Sequence, residues 1–209
     1  QRVRLPDIRK GQYEGFEEKL SQPEWKPDFG PCQFMPKMGV TATGGRNLLI
    51  AYNVNLNTDN KSQANQIAGK IRTSGYVIKD DEGNSIQDEN GKPLRQPGIF
   101  SNLQAAGWMY DENTAQVSMN LLDFTLTGLH QVTDAIKLEA KKLGLEAVSS
   151  ELVGLVPLDA ILAAGQHYGN NPDASEKELV DYAINGLMLN KLSDFDPNKN
   201  IIEWAIRGD

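Results

Sequence analysis

Leu48-Leu49-Ile50-Ala51-Tyr52-Asn53-Val54-Asn55-Leu56 sets the architecture of this chain. Aliphatic, β-branched and aromatic residues dominate it, and they read as a strand. Alternation puts Ile50, Tyr52 and Val54 on one face and Asn53 and Asn55 on the other. The next element reads as a helix. Asn60 can cap it, Ala64, Ile67, Ala68 and Ile71 fall at i, i+3, i+4 and i+7, and Gly75 closes it.

Outward from this pair the pattern repeats. Leu103 to Tyr110 and Ala115 to Asp123 are strand-like runs joined by Asp111-Glu112-Asn113, a hairpin connection. Leu129, Val132, Ile136, Ala140 and Leu143 make a second amphipathic helix ending at Gly144, and Ala147 to Leu155 makes a fourth strand. The order βαββαβ predicts an α/β (α+β) fold: a ferredoxin-like plait, with two helices on one face of a four-stranded antiparallel sheet. C-terminal helices follow. Pro157 opens one through Leu158, Ile161 and Leu162, Ser175 with Glu178 is a capping box for another through Leu179 and Tyr182, and Ile201 to Ile206 close the chain.

Upstream the pattern differs. Leu5, Ile8, Tyr13, Phe16 and Leu20 recur at helical spacing after Pro6, weakened by Gly11 and Gly15. From Ser21 to Gly39 the period vanishes, and prolines at 23, 27, 31 and 36 demand irregular or extended backbone. Structureless stretches of this length inside a compact protein tend to be functional. Val40 to Thr43 reads as a short strand, and the Gly44-Gly45 break places a boundary near Arg46. A chain of 209 residues exceeds one average domain and falls short of two, so a single core preceded by the end of a second α/β subdomain is expected.

Composition narrows the function. Hydrophobic residues at 39% and charged residues at 23% describe a globular chain, and a formal charge of −7 argues against a nucleic-acid partner. No apolar run reaches the roughly 18 residues that span a bilayer, so no membrane role is expected. The single cysteine, Cys32, cannot form an intrachain disulfide, no Cys/His cluster has zinc spacing, and a reducing, cytoplasmic setting fits. The polar excursion from 76 to 97 is acidic, but six-residue counting puts Ile78 and Ile86 at the first position of any calcium loop built on Gly83 or Gly91. A protruding hairpin or flexible loop is the better reading.

Several positions carry chemical potential. On the third strand of the plait, Gln116, Ser118 and Asn120 share a parity opposite to Val117, Met119 and Leu121, so two central strands present amides and a hydroxyl on one face. That face is either solvated or turned to a ligand or another subdomain. His130 and His167 are single helical histidines, read as structural or exposed ahead of catalytic. Glu151 becomes an acid or base only if buried. Thr43-Gly44-Gly45-Arg46 is a turn first and an anion site second. The segment Trp25 to Gly39 offers aromatics and prolines that pack flat on a conjugated ring, with Lys37 available to a carboxylate; the alternative is a packed crossover.

In combination the motifs are more specific. Leu5-Pro6 with Ile8-Arg9, Trp25-Lys26-Pro27-Asp28-Phe29-Gly30-Pro31, Asn53-Val54-Asn55-Leu56, Gln116-Val117-Ser118, Asn120-Leu121-Leu122-Asp123 and Leu152-Val153-Gly154-Leu155-Val156-Pro157-Leu158 together resemble the formiminotransferase domain family of glutamate formimidoyltransferase and formiminotransferase-cyclodeaminase. The resemblance covers essentially the whole chain apart from 76 to 97. It implies a transferase of histidine catabolism that passes a formimino group from N-formimino-L-glutamate to N5 of tetrahydrofolate, a co-substrate. It also implies that 1–46 is the C-terminal end of an N-terminal subdomain, that 47–209 is a C-terminal subdomain, and that the protein is a homodimer. The family's folate-contacting stretch matches Gly30, Pro31, Cys32, Gln33, Phe34, Met35, Pro36, Lys37, Met38 and Gly39. The family's catalytic histidine falls upstream of Gln1, so no catalytic residue and no metal ligand is assigned here. A non-catalytic binding plait and a glutamate formyltransferase relative are the competing readings.

Overall fold

The computed structural model describes residue 2 and residues 5–208. They form two compact units, Gln1–Arg46 and Asn47–Asp209. Among the described residues no helix is long and apolar enough to cross a membrane.

In the first unit the expected single helix is two short ones, α1 (Leu5–Arg9) and α2 (Phe16–Leu20). Gly11 at φ +87 and Gln12 at φ +51 turn the chain sharply between them. A Cβ on Gly15 would come within 2.7 Å of the Gly11 carbonyl, so the glycines break the helix outright. Lys19 ties the pieces together. Its buried ammonium donates to the carbonyls of Asp7, Ile8 and Lys10 at 2.7–3.0 Å and sits 3.9 Å from the Trp25 ring centroid. A 3₁₀ turn, Pro23–Trp25, precedes the irregular run to Gly39. Val40 to Thr43 is not a strand, for nothing pairs with it among the described residues.

The second unit is the plait. β1 (Ile50–Leu56) and α3 (Lys61–Ile71) are followed by β4 (Leu103–Met109), β5 (Ala115–Leu121), α4 (Leu129–Lys142) and β6 (Ala147–Val153). The sheet order is β4-β5-β1-β6, all neighbours antiparallel, with the first and third strands of the plait central. The expected Asn60 cap is present, its side chain accepting from Ser62 N at 2.9 Å. The helix stops at Ile71, ahead of the expected Gly75, which instead turns at φ +60 where any Cβ would strike the Gln96 carbonyl.

Ile50, Tyr52 and Val54 lie beside Leu121, Met119 and Val117 on the neighbouring strand, and with Leu56 they form one apolar sheet face, essentially buried under α3 and α4. Each such side chain contributes about 1.5–3 kcal/mol on burial. Tyr52 brings a hydroxyl inside, bonded to Thr133 Oγ1 at 2.9 Å and to the Leu187 carbonyl at 3.3 Å, and burial pushes its phenol up to about 12. Helices α5 (Leu158–Tyr168) and α6 (Glu176–Leu187) pack on each other, the latter with its Ser175–Glu178 capping box in place. Two short helices, α7 (Pro197–Asn200) and α8 (Ile202–Arg207), end the unit.

The excursion is an ordered knot of turns, opened and closed by β2 (Tyr76–Val77) and β3 (Arg95–Gln96). Three segments bond in a ring: Ile78 N to Leu94 O, Ile86 N to Ile78 O and Leu94 N to Ile86 O, at 2.8–3.0 Å. Its acids build turns. Asp80 Oδ1 accepts from Glu82 N and Asn84 N, and Asp88 Oδ1 from Asn90 N and Lys92 N.

Candidate functional site

The sheet face away from α3 and α4 carries the polar strip expected from parity. Asn53 lies opposite Ser118 on one side and Glu151 on the other, and Asn55 lies between Gln116 and Ser149. Trp108, across from Gln116, ends this second rung, 59% exposed with the Lys61 ammonium 4.8 Å from its ring centroid.

Two side-chain contacts order the strip. Asn53 Nδ2 donates to Glu151 Oε1 at 2.9 Å, and Asn55 Nδ2 donates to Ser149 Oγ at 3.2 Å. The other ends of two amides are unspent. Asn55 is 1% exposed and Gln116 is 6% exposed, yet Asn55 Oδ1 and Gln116 Oε1 have no hydrogen-bond partner among the described residues. Leaving a buried acceptor unpaired typically costs about 1–3 kcal/mol. Two such oxygens on directly opposed residues are a liability for folding and an asset for binding a donor.

The segment 30–39 belongs to the first unit. Gly30 at φ +87 and Gly39 at φ +62 bracket it. Phe34 is half-buried, its ring edge-on to Tyr13 with centroids 5.3 Å apart, and the Tyr13 hydroxyl donates to the Pro36 carbonyl. Cys32 Sγ donates to the Leu20 carbonyl at 3.3 Å. Gly39 N and Met38 N both return to the Met35 carbonyl, so Pro36 and Lys37 form the tip of a tight turn. Gly30, Pro31, Cys32, Gln33, Met35, Lys37 and Met38 are exposed, and Lys37 has no ion-pair partner among the described residues. Beside Met38 and Gly39 opens a groove of about 600 Å³ lined by Ile8, Tyr13, Phe16 and Val40.

A third constellation joins α4 to α5. His130 and His167 stack with ring centroids 4.7 Å apart, His167 Nε2 lies 2.7 Å from Asp134 Oδ2, and Tyr168 donates to Asp134 Oδ1 at 2.9 Å. Burial lowers the pKa of His130, the charge on His167 lowers it further, and Asp134 partly opposes both. Burial and the neighbouring Asp134 carboxylate push the Tyr168 phenol well up. Both histidines sit on the helical layer, away from the open face. Among the described residues no group of three His, Cys, Asp or Glu side chains is placed to hold a metal ion.

Residues 51–207 match the family model for the formiminotransferase domain, and residues 1–46 match that of its N-terminal subdomain. The chain belongs to the formiminotransferase domain family. It is 43% identical over 209 residues to formimidoyltransferase-cyclodeaminase of Rattus norvegicus, covering 98% of this chain and 36% of that protein. The Dictyostelium discoideum protein of the same name is 42% identical, and glutamate formimidoyltransferase of Streptococcus pyogenes serotype M1 is 37% identical over 169 residues, covering 80% of this chain and 49% of that protein. The chain thus spans about a third of the first relatives and half of the last.

In this member of the formiminotransferase domain family, sequence parity identified the amides of the open face. It did not find Ser149 as the partner of Asn55, nor Tyr13 as the post that holds the 30–39 turn. Ser149 precedes Ser150, whose hydroxyl enters the core, and alternation alone tells such neighbours apart only once the strand register is known. Tyr13 fell on the apolar stripe of a presumed helix.

Proposed function

We propose that this chain supplies the folate wall and the open polar face of a glutamate formimidoyltransferase, which transfers the formimino group of N-formimino-L-glutamate to N5 of tetrahydrofolate. Family membership supports the reaction class. The observation that carries the reading is the polar strip itself: paired amides on the two central strands, buried yet with two acceptor oxygens unspent. A face kept only for solubility would not hide them.

The chemistry has two demands. The pterin amine must be held against the amidine carbon, which a site meets by raising effective concentration. Protons must also leave the attacking nitrogen and reach the departing glutamate nitrogen, which calls for a positioned acid/base near neutral pH. Gly30 to Gly39 meets part of the first demand, with Phe34 and the prolines against the ring system and Lys37 toward the carboxylate tail. The family resemblance puts the second on a histidine upstream of Gln1. The test is formation of 5-formiminotetrahydrofolate by a polypeptide carrying these residues behind a complete N-terminal subdomain, with release of glutamate; absence of both products overturns the reading.

A further inference from the structure

Among the described strand residues on the open face, Glu151 is the one that carries a charge; the rest are amides, hydroxyls, a tryptophan and small or aliphatic side chains. Its carboxylate is partly exposed, and its hydrogen-bond partner among the described residues is Asn53 Nδ2, on Oε1. Asn53 therefore fixes the orientation and leaves the remaining lone pairs to a ligand.

We propose that Glu151 recognises the amidinium of the formimino donor and so separates formimino from formyl transfer, a step that rests on the transferase reading above. The substrates decide what a lone carboxylate can attract. The glutamate tails of both substrates are anions, which Glu151 repels. An amidine is a strong base, protonated at neutral pH, and its planar N–H groups match a carboxylate as a guanidinium does. A formyl group has the same size, no charge and an acceptor oxygen where the amidinium has a donor.

Asn55 and Gln116, two residues along β1 and β5 from Asn53 and Ser118, carry buried side-chain oxygens, so contact with the donor falls to the partly exposed Glu151 carboxylate. A carboxylate accepts N–H groups and faces a formyl oxygen lone pair to lone pair. Discrimination of this polar kind is stronger than any that size alone provides.

The transfer balances with Glu151 as a fixed anion. The pterin nitrogen attacks the amidinium carbon, a C–N bond forms, and the C=N π pair becomes a nitrogen lone pair. The attacking nitrogen loses its proton and the glutamate nitrogen gains one. The bond from carbon to glutamate nitrogen then breaks, leaving the formimino group on the pterin and a free amine on glutamate. By holding the amidine protonated, Glu151 keeps its carbon electrophilic.

The experiment compares Glu151→Gln with the unmodified polypeptide, each behind a complete N-terminal subdomain. It measures kcat/KM for N-formiminoglutamate and the inhibition constant of N-formylglutamate. The expected result is a loss of roughly 10- to 100-fold on the formimino donor, the range for a hydrogen bond to a charged group, with inhibition by the formyl analogue unchanged or tighter. Glu151→Asp, which keeps the charge and withdraws it by one methylene, should fall between the two and serves if the glutamine variant does not fold. Unchanged kcat/KM, or equal losses on both ligands, overturns the assignment of Glu151 while leaving the transferase reading standing. An unmodified polypeptide that transfers no formimino group overturns both.

Discussion

His130 and His167 come from different helices and stack at 4.7 Å, with one carboxylate, Asp134, bonded to the second ring and to Tyr168. The groups facing His130 are thus His167 and Asp134, with Tyr168 and the Lys137 ammonium over its ring just behind. Because His130 titrates below its ordinary value in the folded chain, the unfolded chain takes up that proton first as the pH falls. Stability is unaffected above about 6.5, declines as the pH drops below that value, and levels off beneath the lowered folded value. Urea unfolding from pH 8 to 5 should show a shallower acid loss for His130→Gln than for the unmodified chain. Parallel curves would remove His130 from the pH response.

Asn55 and Ser149 test whether the strip is kept for function. Replacing both by apolar residues of similar shape, Asn55→Leu with Ser149→Ala, removes one unpaired buried oxygen and creates no new one. The change in unfolding free energy should lie within about 1 kcal/mol of zero or be stabilising. Transfer activity of the longer polypeptide should fall at the same time. A loss of several kcal/mol would mean that the amide holds the sheet together.

Lys37→Ala should weaken folate binding by about 1–3 kcal/mol, the range for a charge-assisted hydrogen bond, with the melting temperature unchanged because the side chain is exposed. Tyr13→Phe removes the hydroxyl that holds Pro36 and should also weaken binding, by loosening the turn. Titration of both variants with tetrahydrofolate decides. Unaltered affinity in Lys37→Ala takes that residue out of the site.

Gly107 marks a close approach of α3 to the sheet: a Cβ there would lie 2.3 Å from Asn65 N and 2.8 Å from the Ala64 carbonyl carbon. Gly107→Ala should therefore cost about 1–3 kcal/mol through overpacking. Gly44→Ala, with nothing within 4 Å of the new methyl, should cost far less. Chemical denaturation of the two variants separates them, and equal effects would contradict the packing described here.

The plait was legible because its two periods are clean. Alternation in 50–56 and 115–121, and the 3.6-residue stripe of 129–142, each assign one face to the core, and the sheet buries those residues. The first unit was less so. Leu5, Phe16 and Leu20 keep helical spacing while Gly11 takes a positive φ, so a pattern of hydrophobic positions survived a backbone that does not follow it. The excursion hid its order because the backbone bonds that join its three segments link residues eight and sixteen apart, spacings no helix or strand period contains. Side-chain partnerships such as Asn53 with Glu151, or His130 with His167, depend on register and helix packing, which no local period encodes.

Formation of 5-formiminotetrahydrofolate from N-formimino-L-glutamate and tetrahydrofolate separates a transferase from a non-catalytic binding plait, measured on residues 1–209 alone and on the same residues behind a complete N-terminal subdomain. The longer polypeptide should make product and release glutamate, while residues 1–209 alone should be slower by about a hundred- to ten-thousand-fold, the usual cost of losing a positioned acid/base. A longer polypeptide that folds, binds both substrates and makes no product would contradict the transferase reading.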